Sequence, residues 1–159
     1  ATSSPRAVTK ITGMPAVADP GSSIVRAAHG LGVRVLPMVG PSSILLALAA
    51  SGLNGQQFAF VGYLPQNAAD RTTRIKQLEG FALKTGQAQL CIETPYRNAA
   101  LWQALLSTLQ PNTMLALHSG LTLEQGFSRS LPVSAWRKAG SLPELEQALA
   151  LPCMFAWGQ

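Results

Sequence analysis

The order of apolar and polar segments along the chain predicts alternating helices and strands. After a helix-start signal at residues 19–23, an apolar helix face runs to Leu31 and ends at glycines. The short β-branched segment at residues 33–37 predicts a strand, and the apolar run at residues 44–50 predicts the next helix. Because such alternation is typical of parallel sheets covered by helices, we expect an α/β fold with ligands at the carboxyl ends of the strands.

The alternation continues beyond a turn-rich segment at residues 51–55. Strands are predicted at residues 58–63, 88–92, 113–117, 126–131 and 153–157. Helices are predicted at residues 68–82, 98–109, 133–138 and 142–149. We therefore place a domain boundary near residue 56, with residues 1–55 in one domain and residues 56–159 in a second α/β domain.

The composition is that of a folded chain. Of the 159 residues, 47% are hydrophobic and 12% are charged, and the mean hydropathy is +0.19, which excludes disorder of the whole chain. The longest strictly apolar run, residues 44–50, has seven residues, whereas a membrane-spanning helix needs about 20. Residues 1–5 lack the pattern of a signal peptide, so we expect a cytoplasmic protein without a membrane span.

The charge balance favours partners that carry phosphate. Twelve basic and seven acidic residues give a formal net charge of +5 and a pI near 9.8, and a basic balance attracts nucleic acid without proving that it binds. Arg71, Arg74 and Lys76 lie on one predicted polar helix. Three positive charges there suit a contact with an RNA backbone or, equally, a solvated surface helix.

Neither the cysteines nor the histidines have the spacing of a known reactive site. Cys91 and Cys153 lie in apolar strand-like runs, so they are predicted to be buried and reduced. His29 and His118 have no partner at the spacing of a metal site or a catalytic triad, so both are predicted to be structural. The sequence also lacks a G-x-S-x-G elbow and a Walker lysine. We predict no metal site, and no catalytic residue is assigned.

Two segments at predicted strand ends carry most of the candidate chemistry. Gly40-Pro41-Ser42-Ser43 precedes a helix, where backbone N–H groups and the helix dipole can hold an anion, although a simple helix cap explains the same serines. Glu93-Thr94-Pro95-Tyr96-Arg97 closes an apolar strand with a carboxylate, an aromatic ring and a guanidinium. That set suits a ligand site, or an ion pair between Glu93 and Arg97 that holds the corner.

Nine short motifs stand along the chain in one order and spacing. They are Gly13-Met14-Pro15, Asp19-Pro20-Gly21, Val25-Arg26-Ala27-Ala28, Gly32-Val33-Arg34-Val35 with Pro37, Gly40-Pro41-Ser42-Ser43, Ala50-Ser51-Gly52-Leu53, Gly62-Tyr63-Leu64-Pro65 and Glu93-Thr94-Pro95-Tyr96-Arg97, followed by Leu121-Thr122. This string resembles the tetrapyrrole methylase superfamily, and within it the branch that contains ribosomal RNA small subunit methyltransferase I. The similarity extends from Gly13 nearly to the end of the sequence.

The resemblance implies a two-domain α/β protein, usually a homodimer, in which residues 1–55 end a parallel-sheet first domain and the second domain has a mixed sheet. It implies a methyltransferase that uses S-adenosylmethionine, bound in the cleft between the domains, to methylate a ribose 2′-oxygen of RNA. By the same resemblance, the residues that contact the donor are Gly13, Pro15, Ser42, Ser43, Tyr63, Leu64, Tyr96, Leu121 and Thr122. Substrate-binding or structural roles fall to Glu93, Arg97, Arg71, Arg74 and Lys76.

The sequence departs from the family pattern at three places. The family begins earlier, with a first strand and a glycine-rich loop that have no counterpart here, so we expect a truncated first domain. Ile11 and Gly120 stand where the family carries acidic residues. Three functions therefore stay open: a methyltransferase acting on RNA or on a small molecule, a non-catalytic fragment that serves as a dimerisation or binding module, and an RNA-binding α/β module without chemistry.

Overall fold

The computed structural model describes residue 14, residues 16–140 and residues 142–159. The chain divides into two compact units, Ala1–Ser42 and Ser43–Gln159, which we call the first and the second unit. The predictions for Gly13 and Pro15, and for the departure at Ile11, lie outside the described residues. The domain boundary near residue 56 stays a prediction.

The first unit contains the predicted helix but not the predicted strand. Helix α1 spans Ser22–Gly30, and the Val33 N–H donates to the Ala28 carbonyl oxygen at 2.8 Å just after it. Residues 33–37 form no strand, so that prediction is wrong. A strand is stabilised by hydrogen bonds to a neighbouring strand, and the part of the first unit that the structure describes provides none.

The second unit is built on a five-stranded mixed sheet. Its strands are β1 (Phe58–Phe60), β2 (Ala88–Glu93), β3 (Met114–Ser119), β4 (Phe127–Pro132) and β5 (Cys153–Gly158). The spatial order is β1-β2-β5-β3-β4. β1 and β2 are parallel, β5 is antiparallel to both β2 and β3, and β4 is antiparallel to β3. Strands β1, β2 and β3 therefore run in one direction and end at the same edge of the sheet.

Helices cover both faces of this sheet. They are α2 (Ser43–Ser51), α3 (Ala68–Thr85), α4 (Pro95–Thr108), α5 (Val133–Ala139) and α6 (Pro143–Leu149). Alternate strand residues point to opposite faces: Cys91, Leu117 and Phe155 pack with α3 to α6, whereas Leu90 and Ala156 pack with α2. The α/β class and the mixed sheet of this unit are confirmed.

Buried hydrogen bonds join the helices to the sheet and its loops. The Glu79 carboxylate on α3 accepts from the Gln110 N–H at 2.7 Å and from the Thr113 hydroxyl at 2.6 Å. The Trp136 indole on α5 donates to the Leu115 carbonyl oxygen at 2.7 Å. Buried polar groups destabilise a fold unless they are hydrogen-bonded. A displaced helix would break these bonds, so the contacts hold the helices in position.

The predicted strands and helices of the second unit are confirmed, with shifted ends. β1 ends at Phe60, three residues before the predicted end, because Gly62 turns the chain with a φ of +69°. Helix α4 begins three residues earlier than predicted, since Pro95 suits the first turn of a helix. Among the described residues, no helix is long and apolar enough to cross a membrane.

Candidate functional site

The sheet topology gathers most of the predicted second-domain residues at one edge. The chain leaves the carboxyl ends of β1, β2 and β3 through residues 61–67, 94–97 and 120–126, and we call these segments together the loop edge. The strand register aligns their ends, because Glu93 pairs with Cys153, Cys153 with Ser119, and Ser119 with Phe127. Three loops that are far apart in sequence therefore meet where α/β proteins bind ligands.

The loop after β1 presents an exposed aromatic ring on an anchored backbone. The Val61 N–H donates to the Leu90 carbonyl oxygen at 2.8 Å, and the Ile92 N–H donates to that of Gly62 at 3.1 Å. The Leu64 side chain is buried in the main core, whereas Tyr63 is 58% exposed. Leu64 thus fixes the loop through packing, and Tyr63 is the aromatic side chain that the loop leaves accessible to a ligand.

The corner after β2 is held by a buried carboxylate. Glu93 Oε1 accepts from the Thr94 N–H at 2.7 Å and lies 2.9 Å from Nε and 2.8 Å from Nη2 of Arg97. The predicted ion pair is therefore present, and it fixes the first turn of α4. Tyr96 is 80% exposed, with the Arg97 guanidinium 5.2 Å from its ring centroid, so the corner offers a second accessible ring.

The loop after β3 is tightly wound around two glycines. Gly120 has a φ of +56°, its carbonyl oxygen accepts from the Leu123 N–H at 2.8 Å, and the Leu123 carbonyl oxygen accepts from the Gly126 N–H at 3.0 Å. Leu121 packs partly against the cluster under α2, and Thr122 is exposed. The loop is thus shaped by its own backbone, with Thr122 pointing to solvent.

The remaining predicted residues are placed differently. Ser42 is buried and belongs to the first unit, whereas Ser43 is exposed and begins α2. Arg71 and Arg74 are three residues apart on α3, so they share one side of the helix, but Lys76 faces elsewhere because it is two residues beyond Arg74. The three charges therefore do not form one patch. The Arg71 Nη1 donates to the Gln66 carbonyl oxygen at 3.3 Å in the loop after β1.

His118 is buried on the sheet face that α2 covers. Its Nδ1 lies 2.9 Å from Ser128 Oγ in a hydrogen bond across the strands, and its Nε2 is buried without a hydrogen-bond partner. Burial lowers the pKa of His118 to about 4, because a charged imidazolium loses its hydration there. The imidazole is therefore neutral at pH 7, in agreement with its predicted structural role.

The cysteines are buried thiols, as predicted. Burial raises the pKa of Cys153 to about 12 and that of Cys91 further still. Both side chains are therefore thiols rather than reactive thiolates at pH 7. In the described ranges, no group of three or more His, Cys, Asp or Glu side chains could hold a metal ion.

The sequence did not reveal a cavity at the end of the loop edge beyond β3. It has a volume of about 410 Å³ and lies between the start of β4 and α6. The polar and aromatic side chains that line it include Gln125, Phe127, Arg129, Glu144 and Gln147. These residues come from two separate segments with no common motif, so only the folded sheet brings them together.

The fold resembles that of solved methyltransferases. The methyltransferase CobJ superimposes with a TM-score of 0.57 at 15% identity, over 92% of this chain and 62% of that chain. A uroporphyrin-III-C-methyltransferase from Thermus thermophilus superimposes with a TM-score of 0.53 at 22% identity, over 92% of this chain and 60% of that one. At these identities the likeness concerns the fold alone. No protein-family model matches the chain.

Curated relatives specify the branch. The chain is 40% identical over 111 residues to the ribosomal RNA small subunit methyltransferase I of Mesorhizobium japonicum, which covers 69% of this chain and 36% of the relative. The protein of that name from Neisseria meningitidis serogroup A is 30% identical over 138 residues, 87% of this chain and 43% of its own length. The chain thus matches less than half the length of these relatives. The resemblance to this branch of the tetrapyrrole methylase superfamily is confirmed.

Proposed function

We propose that this chain forms part of an S-adenosylmethionine-dependent methyltransferase and that the loop edge contacts the methyl donor. The observation that carries the proposal is that Tyr63, Tyr96, Leu121 and Thr122 all lie in loops at one edge of the sheet. The sequence motifs suggested these residues independently of any structure. Similarity to ribosomal RNA methyltransferases supports the same assignment.

The residues present at the loop edge suit such a donor, which combines an adenine ring, a sulfonium methyl group and an amino-acid tail. Tyr63 and Tyr96 keep 58% and 80% of their surface accessible, and exposed aromatic rings stack favourably on a base. The exposed Thr122 and the backbone of the tight loop after β3 provide polar groups for the tail. The donor, when bound, supplies an electrophilic methyl carbon.

The reaction we propose needs alignment more than acid or base chemistry. The C–S bond of the sulfonium breaks as a substrate oxygen bonds to the methyl carbon, a neutral thioether leaves, and the hydroxyl proton passes to water. Holding the reacting atoms about 3 to 3.5 Å apart supplies most of the acceleration for such a displacement. No catalytic side chain is assigned at the loop edge, and the roles of Gly13, Pro15, Ser42 and Ser43 stay predictions.

RNA is the substrate class that we propose, with the ribose 2′-oxygen as the acceptor. The named relatives act on ribosomal RNA by their names, and the net charge of +5 favours a polyanion. The predicted homodimer and the predicted cytoplasmic location stay predictions.

Calorimetric titration of S-adenosylmethionine and S-adenosylhomocysteine tests the donor site. The substitution Tyr63→Ala should weaken binding by about tenfold through loss of stacking. Phe81→Ala is the matched control, because Phe81 is also an exposed aromatic residue, 49% accessible, but lies near the C-terminal end of α3 and outside the loop edge. Binding that is absent at millimolar ligand, or equally sensitive to both substitutions, would contradict the donor site.

Transfer of a tritiated methyl group to small-subunit ribosomal RNA tests the reaction. A 2′-O-methyl group removes the nucleophile of alkaline cleavage, so the labelled nucleotide should resist hydrolysis at its 3′ phosphodiester. If alkali instead cleaves the RNA at the labelled nucleotide, the methyl group does not lie on the ribose 2′-oxygen. Donor binding without any transfer would favour the alternative function, a non-catalytic binding module.

A further inference from the structure

The cavity beside β4 lies next to the proposed donor site but is separate from it. Residues 120–126 join the two, because the loop begins at the end of β3 with Leu121 and Thr122 and reaches the cavity wall with Gln125. Ser119 at the end of β3 pairs with Phe127 at the start of β4. The cavity therefore lies beside β4, one strand further along the sheet than the end of β3, where the loop with Leu121 and Thr122 begins.

The cavity walls are held by backbone geometry. A Cβ added to Gly126 would overlap the carbonyl oxygen of Gly120 and would lie 3.0 Å from that of Leu123. The opposite wall comes from α6, in which Leu145 and Ala148 are buried. A volume of about 410 Å³ lies within the roughly 300 to 1,000 Å³ of small-ligand sites. A preformed space of this size suits a ligand no larger than one nucleotide unit.

The side chains around the space present three kinds of group. The Arg129 guanidinium lies over the Phe127 ring, 5.7 Å from its centroid, so one wall of the cavity carries both a cation and an aromatic ring. Glu144 and Gln147 of α6 line the opposite wall with a carboxylate and an amide. The lining thus combines a surface for stacking, a positive charge, and hydrogen-bond acceptors and donors.

An unpaired nucleotide can bind the stacking surface, the positive charge and the hydrogen-bonding groups of this cavity. Single-stranded RNA is read by stacking its bases on aromatic rings or guanidinium planes and by hydrogen bonds to the base edge. Carboxylates accept from the amino group of cytosine, and side-chain amides pair with adenine. A purely apolar ligand would leave Glu144 and Gln147 unpaired in the bound state, and an anion alone would face the Glu144 carboxylate.

We propose that this cavity binds one unpaired nucleotide of the RNA substrate, flanking the position that is methylated. The base stacks on Arg129 and Phe127, and its edge bonds to Glu144 and Gln147. This inference rests on the proposed function for the choice of RNA, and it adds a substrate subsite outside the residues that the motifs indicated. It also explains how RNA could be held in register beside the donor without a basic patch on α3.

Photo-crosslinking with a short unstructured RNA that carries 4-thiouridine tests the placement. Mass spectrometry should locate the crosslink in the segment that contains Phe127. In parallel, Arg129→Ala and Gln147→Ala should each weaken binding of that RNA by about tenfold. Lys84→Ala is the matched control, because it removes the same charge from an exposed side chain in the last turn of α3 and should change the affinity by no more than about twofold.

Two readouts keep the subsite and the donor site distinguishable. S-adenosylmethionine binding, measured by calorimetry on the same variants, should be unchanged by Arg129→Ala and Gln147→Ala. Crosslinks found only outside the cavity, equal losses for Arg129→Ala and Lys84→Ala, or no RNA binding at all would each overturn the subsite, even if the donor binds. If the RNA crosslinks to the segment with Phe127 but the chain binds no S-adenosylmethionine, the nucleotide subsite is supported and the donor site is refuted.

Discussion

Single residues at the centre of this fold serve structure through burial rather than through reactivity. The sequence left two interpretations of Glu93 and Arg97, a ligand site or an ion pair at a corner. The structure shows the ion pair, with two contacts from Arg97 and one from the Thr94 N–H on a single carboxylate oxygen. The pair fixes the start of α4 and so positions the exposed Tyr96, whose ring lies against the Arg97 guanidinium.

The lowered pKa of the single side chain His118 makes the free energy of unfolding depend on pH. Its folded-state pKa is about 4, below the ordinary value of 6.5, so between these values the unfolded chain binds a proton that the folded chain does not. The contribution of the neutral, buried His118 to the free energy of unfolding is therefore complete above pH 6.5 and is lost as the pH falls to about 4, on the order of 3 kcal/mol in all.

The variant His118→Gln should flatten the dependence of unfolding free energy on pH between 4 and 6.5, because glutamine does not titrate. Urea unfolding at a series of pH values measures this slope. His29→Gln is the matched control, since His29 is exposed on α1, and it should retain the parent slope. A parent-like slope in His118→Gln would show that another group titrates.

At the scale of elements, the hydrophobic pattern predicted the helices and strands wherever a neighbour was available to complete them. The short segments at residues 33–37 and 88–92 are both predicted to be strands, yet only the second forms one, because β1 and β5 lie on either side of β2. Likewise, α3 carries the basic residues Arg71, Arg74 and Lys76 as predicted, but the helical repeat separates Lys76 from the two arginines. A hydrophobic pattern therefore predicts a helix or a strand. The neighbouring segments decide whether a strand forms, and the helical repeat decides which side chains share one surface.

The loop between β3 and β4 depends on a glycine for steric reasons. Gly126→Ala should destabilise the protein by about 1 to 3 kcal/mol, because its Cβ would collide with the backbone of Gly120 and Leu123. Gly80→Ala is the matched control, since an added Cβ there meets nothing within 4 Å inside α3, and it should stabilise by about 0.5 to 1 kcal/mol. Thermal unfolding of the two variants gives both values, and equal effects would contradict this description of the loop.

For the whole molecule, the described core lies in the second unit. Two clusters of buried side chains pack against the two faces of the five-stranded sheet, whereas helix α1 of the first unit contains no buried residue. The stability measured for this chain should therefore report mainly on the second unit.

A pair of isoleucines tests that distribution. Ile75 on α3 is fully buried, and Ile24 on α1 is 74% exposed. Ile75→Ala should lower the free energy of unfolding by about 2 to 5 kcal/mol, and Ile24→Ala should change it by less than about 0.5 kcal/mol. Denaturant unfolding followed by tryptophan fluorescence measures both, and a comparable loss for Ile24→Ala would place α1 in the stabilising core.

The sequence by itself determined the α/β class of the second unit, its strands and helices to within a few residues, and the likeness to the tetrapyrrole methylases, because hydrophobic periodicity and short motifs are local. It did not determine that β5 inserts between β2 and β3, that residues 33–37 form no strand, or that Phe127 and Arg129 face Glu144 and Gln147 across one cavity. Those features depend on which distant segments become neighbours, and only the packed sheet, through its hydrogen bonds and its two buried faces, decides that.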